Sequence, residues 1–101
     1  MTIDDSTGKA SPATEHRRRR LLFRATHRGT KENDIIIGGY VASRLAALTD
    51  AEMDALEVVM ELPDTDLTDW FTGRAPIPAE DDSPMLRAIL AYVTAGGGHR
   101  T

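Results

Sequence analysis

Only one run in this chain has strand propensity, and it has nothing to pair with. Ile35-Ile36-Ile37-Gly38-Gly39-Tyr40-Val41 is rich in β-branched residues, and its two glycines weaken a helix by about 1 kcal/mol each. A lone strand leaves its backbone donors and acceptors without a ladder. In the same stretch Ile37, Val41, Leu45 and Leu48 recur at spacings of four, four and three, which is a helical period. Asp34 to Leu48 is therefore expected to be a helix, and the whole chain all-α. Gly38, Gly39, Ala42 and Ser43 would let a neighbouring helix come close.

The other helices are marked by their start and stop signals. The first is expected from about Glu15 to His27, capped by Ser11 or Thr14, with Pro12 tolerated in its first turn. Leu21, Leu22 and Ala25 face inward on it, and Gly29 fits its C-terminus, where a positive φ is cheap. Arg17, Arg20, Arg24 and Arg28, spaced three, four and four apart, form a stripe. Thr49-Asp50-Ala51-Glu52 reads as a capping box. It opens a helix carrying Met53, Leu56, Val59, Met60 and Leu62, which Pro63 stops.

Asp64 or Asp66 is expected to cap a short helix, Leu67 to Phe71, ended by Gly73, with Trp70 in the core. Arg74 to Asp82, with Pro76 and Pro78, reads as a loop. Ser83 and Pro84 start a last helix to about Thr94, with Leu86, Ile89, Leu90 and Val93 inward and Gly96-Gly97-Gly98 beyond it. The expectation is a compact five-helix bundle over residues 14–95. Residues 1–13 are expected to be a disordered tail and residues 96–101 a flexible one.

At 101 residues the chain can bury a modest core, but not a deep catalytic cavity as well. It contains no cysteine, which excludes disulfides, thiol catalysis and cysteine metal sites. No apolar run approaches the roughly 20 residues that span a bilayer. Met1 to Ala13 lacks the apolar core of a secretory signal and is too acidic for a mitochondrial transit peptide. A cytoplasmic, bacterial-type protein without membrane insertion is expected.

Charge is unevenly divided. Residues 1–49 hold nine Lys/Arg and five Asp/Glu; residues 50–101 hold three and eleven. A basic front on an acidic body suits an anionic partner, a polar docking face or internal charge pairing. Nucleic-acid binding has support in Arg17 to Arg20, Arg24, Arg28 and Lys31. Against it stand a pI near 5.2 and the lack of a recognition helix or aromatic stacking platform. A small basic-faced helical module binding nucleic acid or another anionic partner is the alternative function.

Chemistry is poorly represented. Nucleophilic catalysis needs a nucleophile, a base and an orienting group in contact. His16 and His27 flank a basic helix, where they make poor bases, and His99 lies near the C-terminus. No His or carboxylate spacing suits a metal. Gly38-Gly39 lacks the Lys-Ser/Thr of a phosphate loop and the third glycine of a dinucleotide fold. Glu80-Asp81-Asp82 reads as a solvated loop. No enzyme activity and no metal site are expected.

The densest polar feature is the corner His27-Arg28-Gly29-Thr30-Lys31-Glu32-Asn33-Asp34. Its plain reading is a helix cap with a local Arg28–Glu32 ion pair, worth up to about 1 kcal/mol if exposed. Its functional reading is a docking patch, with Arg a rigid fork of donors, Glu an acceptor and Gly an unhindered backbone.

Here the residues resemble a family. Arg20-Leu21-Leu22-Phe23-Arg24 followed by His27-Arg28-Gly29-Thr30-Lys31-Glu32-Asn33-Asp34 is similar to the signature of the succinate dehydrogenase FAD-assembly factors, or flavinators. Their hallmark is Arg-Gly-x-x-Glu, usually followed by an apolar residue and Asp. Downstream, Leu48 to Glu52 and Asp64-Thr65-Asp66-Leu67-Thr68-Asp69-Trp70 resemble two further family segments, and order and spacing agree over about residues 17–95. Asn33 departs from the pattern, standing where an apolar residue is common.

The resemblance implies a five-helix bundle that binds the flavoprotein subunit of succinate dehydrogenase, and of the related fumarate reductase. It implies promotion of covalent FAD attachment to a His of that subunit. No FAD is expected to be held tightly by this chain, which would act as a monomer without nucleic acid. The residues implicated in partner binding are Arg24, Arg28, Gly29, Thr30, Glu32 and Asp34.

Overall fold

The computed structural model describes residues 12–96. The described residues are all helical apart from turns and loops: α1 (Pro12–Thr26), α2 (Lys31–Arg44), α3 (Asp50–Met60), α4 (Asp64–Phe71) and α5 (Pro84–Thr94). Short 3-10 turns, Leu45–Ala47 and Ala79–Asp81, follow α2 and precede α5. The run Ile35 to Val41 is helix within α2, as the lack of a pairing strand required. Of the expected tails, residues 1–11 and 97–101 lie outside the described residues, and so does Ser11 as a candidate cap.

Three helix starts differ from expectation. α1 begins at Pro12, so Thr14 lies inside its first turn. α2 begins at Lys31, not Asp34, with extended Thr30 as its cap and the Thr30 carbonyl accepting from Asp34 N at 2.9 Å. α4 begins at Asp64 behind extended Pro63, and no side chain caps it. The Asp64 carboxylate cannot serve as a cap because it is engaged elsewhere, as described below.

The capping box of α3 is complete: Glu52 N donates to Thr49 Oγ1 at 3.1 Å and Thr49 N to Glu52 Oε1 at 3.0 Å. Ser83 caps α5, accepting from Leu86 N at 3.1 Å. Each such cap is worth about 1 kcal/mol.

The core draws on every helix. Leu21, Ile37, Val41, Leu48, Leu56, Leu67, Leu86 and Ile89 are all essentially buried, and Trp70 and Phe71 are buried in the same cluster. Burying each large apolar side chain stabilises by about 1.5–3 kcal/mol. Leu45, Leu90 and Val93 are only half-buried at its margin. α1 and α2 pack closely because Gly38 has no side chain: a methyl there would lie 2.6 Å from Thr26 Cγ2. Across the bundle, Gly39 faces the Tyr92 hydroxyl of α5, and the Tyr40 and Tyr92 rings meet edge to face at 5.6 Å. No described helix is long and apolar enough to cross a membrane.

Candidate functional site

The α1–α2 corner is the site to which the sequence pointed, and its position follows from three local facts. α1 ends at Thr26, Gly29 adopts φ +107°, and α2 starts at Lys31. A φ in that range is one that glycine alone adopts without strain. Gly29, Thr30, Lys31 and Glu32 are exposed, and nothing lies within 4 Å of where a Gly29 side chain would begin. The corner is therefore open to another molecule on its outer side.

Its inner side is held by hydrogen bonds. Arg28 N donates to Asp34 Oδ1 at 2.6 Å, which ties the corner to the first turn of α2. The Arg28 side chain keeps only 9% exposure. Its Nε donates to Asp64 Oδ1 at 2.7 Å, and its two terminal nitrogens donate to the carbonyls of Met60 and Leu62 at 2.8 and 3.1 Å. The expected local pair between Arg28 and Glu32 is not what forms. The reason is the C-terminus of α3, which leaves carbonyls without helical partners and favours a cation there. Arg28 supplies both the donors and the charge, and it also bridges to the first residue of α4.

Asn33 belongs to the same arrangement and is wholly buried. Its Nδ2 donates to the Asp64 carbonyl at 3.1 Å and to Asp64 Oδ1 at 3.0 Å, while its Oδ1 accepts from Thr68 Oγ1 at 3.3 Å. The two segments that resembled a known family thus meet in space, the first giving Arg28, Asn33 and Asp34, the second Asp64 and Thr68. Sequence reasoning did not assign Asn33, Asp64 or Thr68 to the site. The one available signal was Asn33 itself, a polar residue where an apolar one is usual.

Of the remaining candidates, Arg24 is half-exposed and pairs with Glu61 at 3.3 Å. A recess of ≈ 170 Å³ opens beside the corner, lined by Thr30, Asp64, Thr65, Thr68, Asp69 and Arg74. That is below the range of about 300–1,000 Å³ typical of pockets enclosing a small molecule. Among the described residues no group of three His, Asp or Glu side chains is placed to hold a metal. His16 on α1 and His27 just after it are exposed, and His99 lies outside the described residues.

The basic stripe is largely neutralised within the chain. Arg17 pairs with Asp54 at 2.5 Å and Glu57 at 3.3 Å, Arg24 with Glu61, and Arg28 with Asp64. The hydrogen bond that Arg17 donates to Asp54 raises its pKa further, against the opposing effect of burial. Cations paired in this way have few donors left for phosphates.

Comparison with known proteins gives a consistent result. Residues 19–93 match the family model described as flavinator of succinate dehydrogenase. The chain is 47% identical over 85 residues to FAD assembly factor SdhE of Acetobacter pasteurianus, covering 84% of this chain and 78% of the relative. To FAD assembly factor SdhE of Ralstonia nicotianae it is 35% identical over 95 residues, 94% of this chain and 99% of the relative. To the mitochondrial succinate dehydrogenase assembly factor 2 of Mycosarcoma maydis it is 36% identical over 94 residues, 92% of this chain but 37% of that longer protein. No solved structure matches.

Proposed function

This chain belongs to the flavinators of succinate dehydrogenase, whose family model covers residues 19–93, and from that membership we propose that it binds the flavoprotein subunit of succinate dehydrogenase and promotes covalent attachment of FAD to it. The related fumarate reductase subunit is a second client. The new bond joins the flavin to a His of the partner, so the chemistry belongs to the flavin and the partner, and this chain supplies geometry. It acts without a catalytic residue and without holding FAD tightly, as a monomer in the cytoplasm.

The corner is the contact. The observation that carries this is Gly29, exposed, at φ +107° and with open space in front of it, on a backbone fastened from behind. Gly29 permits close approach, Thr30 and Glu32 offer polar groups, and Arg24 stands at the rim. Arg28 and Asp34 act from beneath by fixing the shape. A partner conformation that fits a rigid corner is bound in preference to its alternatives, and preferential binding shifts the partner's population toward the state that modifies itself.

The test is covalent flavin on the partner, seen by in-gel fluorescence with and without this chain. Fluorescence should fall strongly without it and in a Gly29→Arg strain. Normal loading with Gly29→Arg would remove the corner from the mechanism.

A further inference from the structure

The stripe of Arg17, Arg20, Arg24 and Arg28 divides between two faces. Arg17, Arg24 and Arg28 lean on α3 and the start of α4, as described above. Arg20 does not join them. It is exposed, with no hydrogen-bond or ion-pair partner among the described residues. At about 3.6 residues per turn, His16, Arg20, Phe23 and His27 share the side of α1 opposite Leu21 and Ala25. All four are exposed, whereas Leu21 and Ala25 are 1% and 0% exposed.

Phe23 stands out on this face. It is 62% exposed, one of two large apolar side chains so placed among the described residues. Its ring is fixed, because His27 stacks on it with 4.0 Å between centroids and 18° between planes. His27 Nδ1 lies 2.8 Å from the Phe23 carbonyl, which can only accept, so Nδ1 carries a hydrogen and donates it there, holding the ring in place. A pre-ordered aromatic pair loses little freedom on docking, and aromatic and Arg side chains are the usual anchors of interfaces. The pair ends one residue before Arg28 and two before Gly29, so this face runs directly into the open corner.

We propose that the outer face of α1, centred on Phe23 and His27 with Arg20 beside them, is a second contact surface for the flavoprotein that the corner binds. It receives an apolar hollow rimmed by carboxylates. This rests on the reading of the corner given above. Continuity with the corner argues for the same partner. The charge argues for carboxylates, since Arg20 and Lys31 carry positive charge with no acidic partner among the described residues. A second copy of this chain fits less well, because the acids of its α3, Asp54, Glu57 and Glu61, are already paired with Arg17 and Arg24.

The experiment uses the full chain and the purified flavoprotein subunit of succinate dehydrogenase. Affinity is measured by calorimetry and folding by thermal melting for Phe23→Ser, Arg20→Glu and Gly29→Arg. Phe23→Ser and Arg20→Glu should each weaken binding by about tenfold or more, with melting unchanged because neither side chain is buried. Wild-type affinity in both, with binding lost in Gly29→Arg, overturns the α1 face and leaves the corner standing. Binding lost in both but intact in Gly29→Arg supports the α1 face and overturns the corner. If all three bind as wild type, both readings fail. Self-association abolished by Phe23→Ser, or oligonucleotide binding abolished by Arg20→Glu, overturns the proposal when partner affinity is unchanged.

Discussion

Arg28 and Asn33 share one acceptor: Arg28 Nε and Asn33 Nδ2 both donate to Oδ1 of Asp64, at 2.7 and 3.0 Å. One carboxylate oxygen therefore joins the end of α1, the first turn of α2 and the start of α4. Removing it takes one hydrogen bond from a guanidinium that keeps 9% exposure and one from an amide that keeps none, and leaves the guanidinium charge unpaired. Asp64→Ala should cost about 3 kcal/mol, the lower end of the range for breaking a buried ion pair, because Asp64 itself is 26% exposed. Asp64→Asn keeps an oxygen acceptor without the charge and should cost clearly less. Urea denaturation checks both, read as a lower midpoint at unchanged slope.

Asn33 should tolerate an apolar replacement better than an acidic one. Asn33→Leu gives up bonds to Asp64 and Thr68, but Asp64 Oδ1 keeps Arg28, and Thr68 is only partly buried and can turn to water. With apolar burial gained at a site of 0% exposure, the net cost should stay within about 1 kcal/mol. Asn33→Asp sets a buried carboxyl within reach of Asp64 Oδ1, where burial and like charge both raise its folded pKa. Such a group contributes fully below its unfolded value of about 3.9 and loses that contribution as pH rises. The Asn33→Asp deficit should therefore be small near pH 3 and large at pH 7. An equal deficit at both would contradict the geometry.

The close approach of α2 to its two neighbours gives a further contrast. Thr26 Cγ2 belongs to a short side chain whose hydroxyl is held by the Leu22 carbonyl at 2.9 Å, so it has little room to yield to Gly38. The atom facing Gly39 is the end of a long, half-buried Tyr92 side chain. Gly38→Leu should thus destabilise by about 2–3 kcal/mol through overpacking. Gly39→Ala should be near neutral, since its helix-propensity gain of about 1 kcal/mol offsets a small ring movement. Thermal melting of the two variants separates them.

What the sequence could and could not show follows from the range of each interaction. The capping box at Thr49, the Ser83 cap and the Gly29 turn are local, involving residues no more than three apart, and all were legible. The helical period of Ile37 and Val41 was legible for the same reason, but the expected helix stops short of Leu48: α2 ends at Arg44, a 3-10 turn follows, and Leu48 is extended. The starts of α2 and α4 were not, because Thr30 and Pro63 cap through extended backbone and no side-chain bond marks them. The site was half legible. An exposed glycine corner could be read from its motif, but the destination of Arg28 lies 36 residues away at Asp64. Spacing also grouped Arg20 with Arg17, Arg24 and Arg28. Intervals of seven and four keep the latter three in line, and Arg20 falls to one side, where α3 offers it nothing.

The capping box predicts an acid-sensitive term in stability. The Glu52 carboxyl is held below its ordinary range, chiefly by the hydrogen bond from Thr49 N, with burial opposing and Arg44 adding a smaller pull. A group with a depressed folded pKa contributes stability above its unfolded value, about 4.3, and loses it as pH falls through the folded one. Glu52→Gln should therefore melt below wild type at pH 7, and the difference should shrink as the pH falls below about 4. A gap that persists at low pH would mean that the cap's charge contributes nothing.

Gly29 allows the corner's shape to be separated from its accessibility. Any L residue at φ +107° carries a backbone penalty of about 1–2 kcal/mol, whatever its side chain. Nothing lies within 4 Å of where the side chain would begin, so an Arg side chain starts into the same open space as a methyl. Gly29→Ala and Gly29→Arg should accordingly melt at nearly the same reduced temperature. They should differ in function, because the Arg side chain occupies the space into which a partner would come and the methyl scarcely does. Covalent flavin on the partner should fall further with Gly29→Arg than with Gly29→Ala at equal amounts of folded protein. If the two variants lose flavin loading equally, in step with their stability, then Gly29 serves only to let the chain turn.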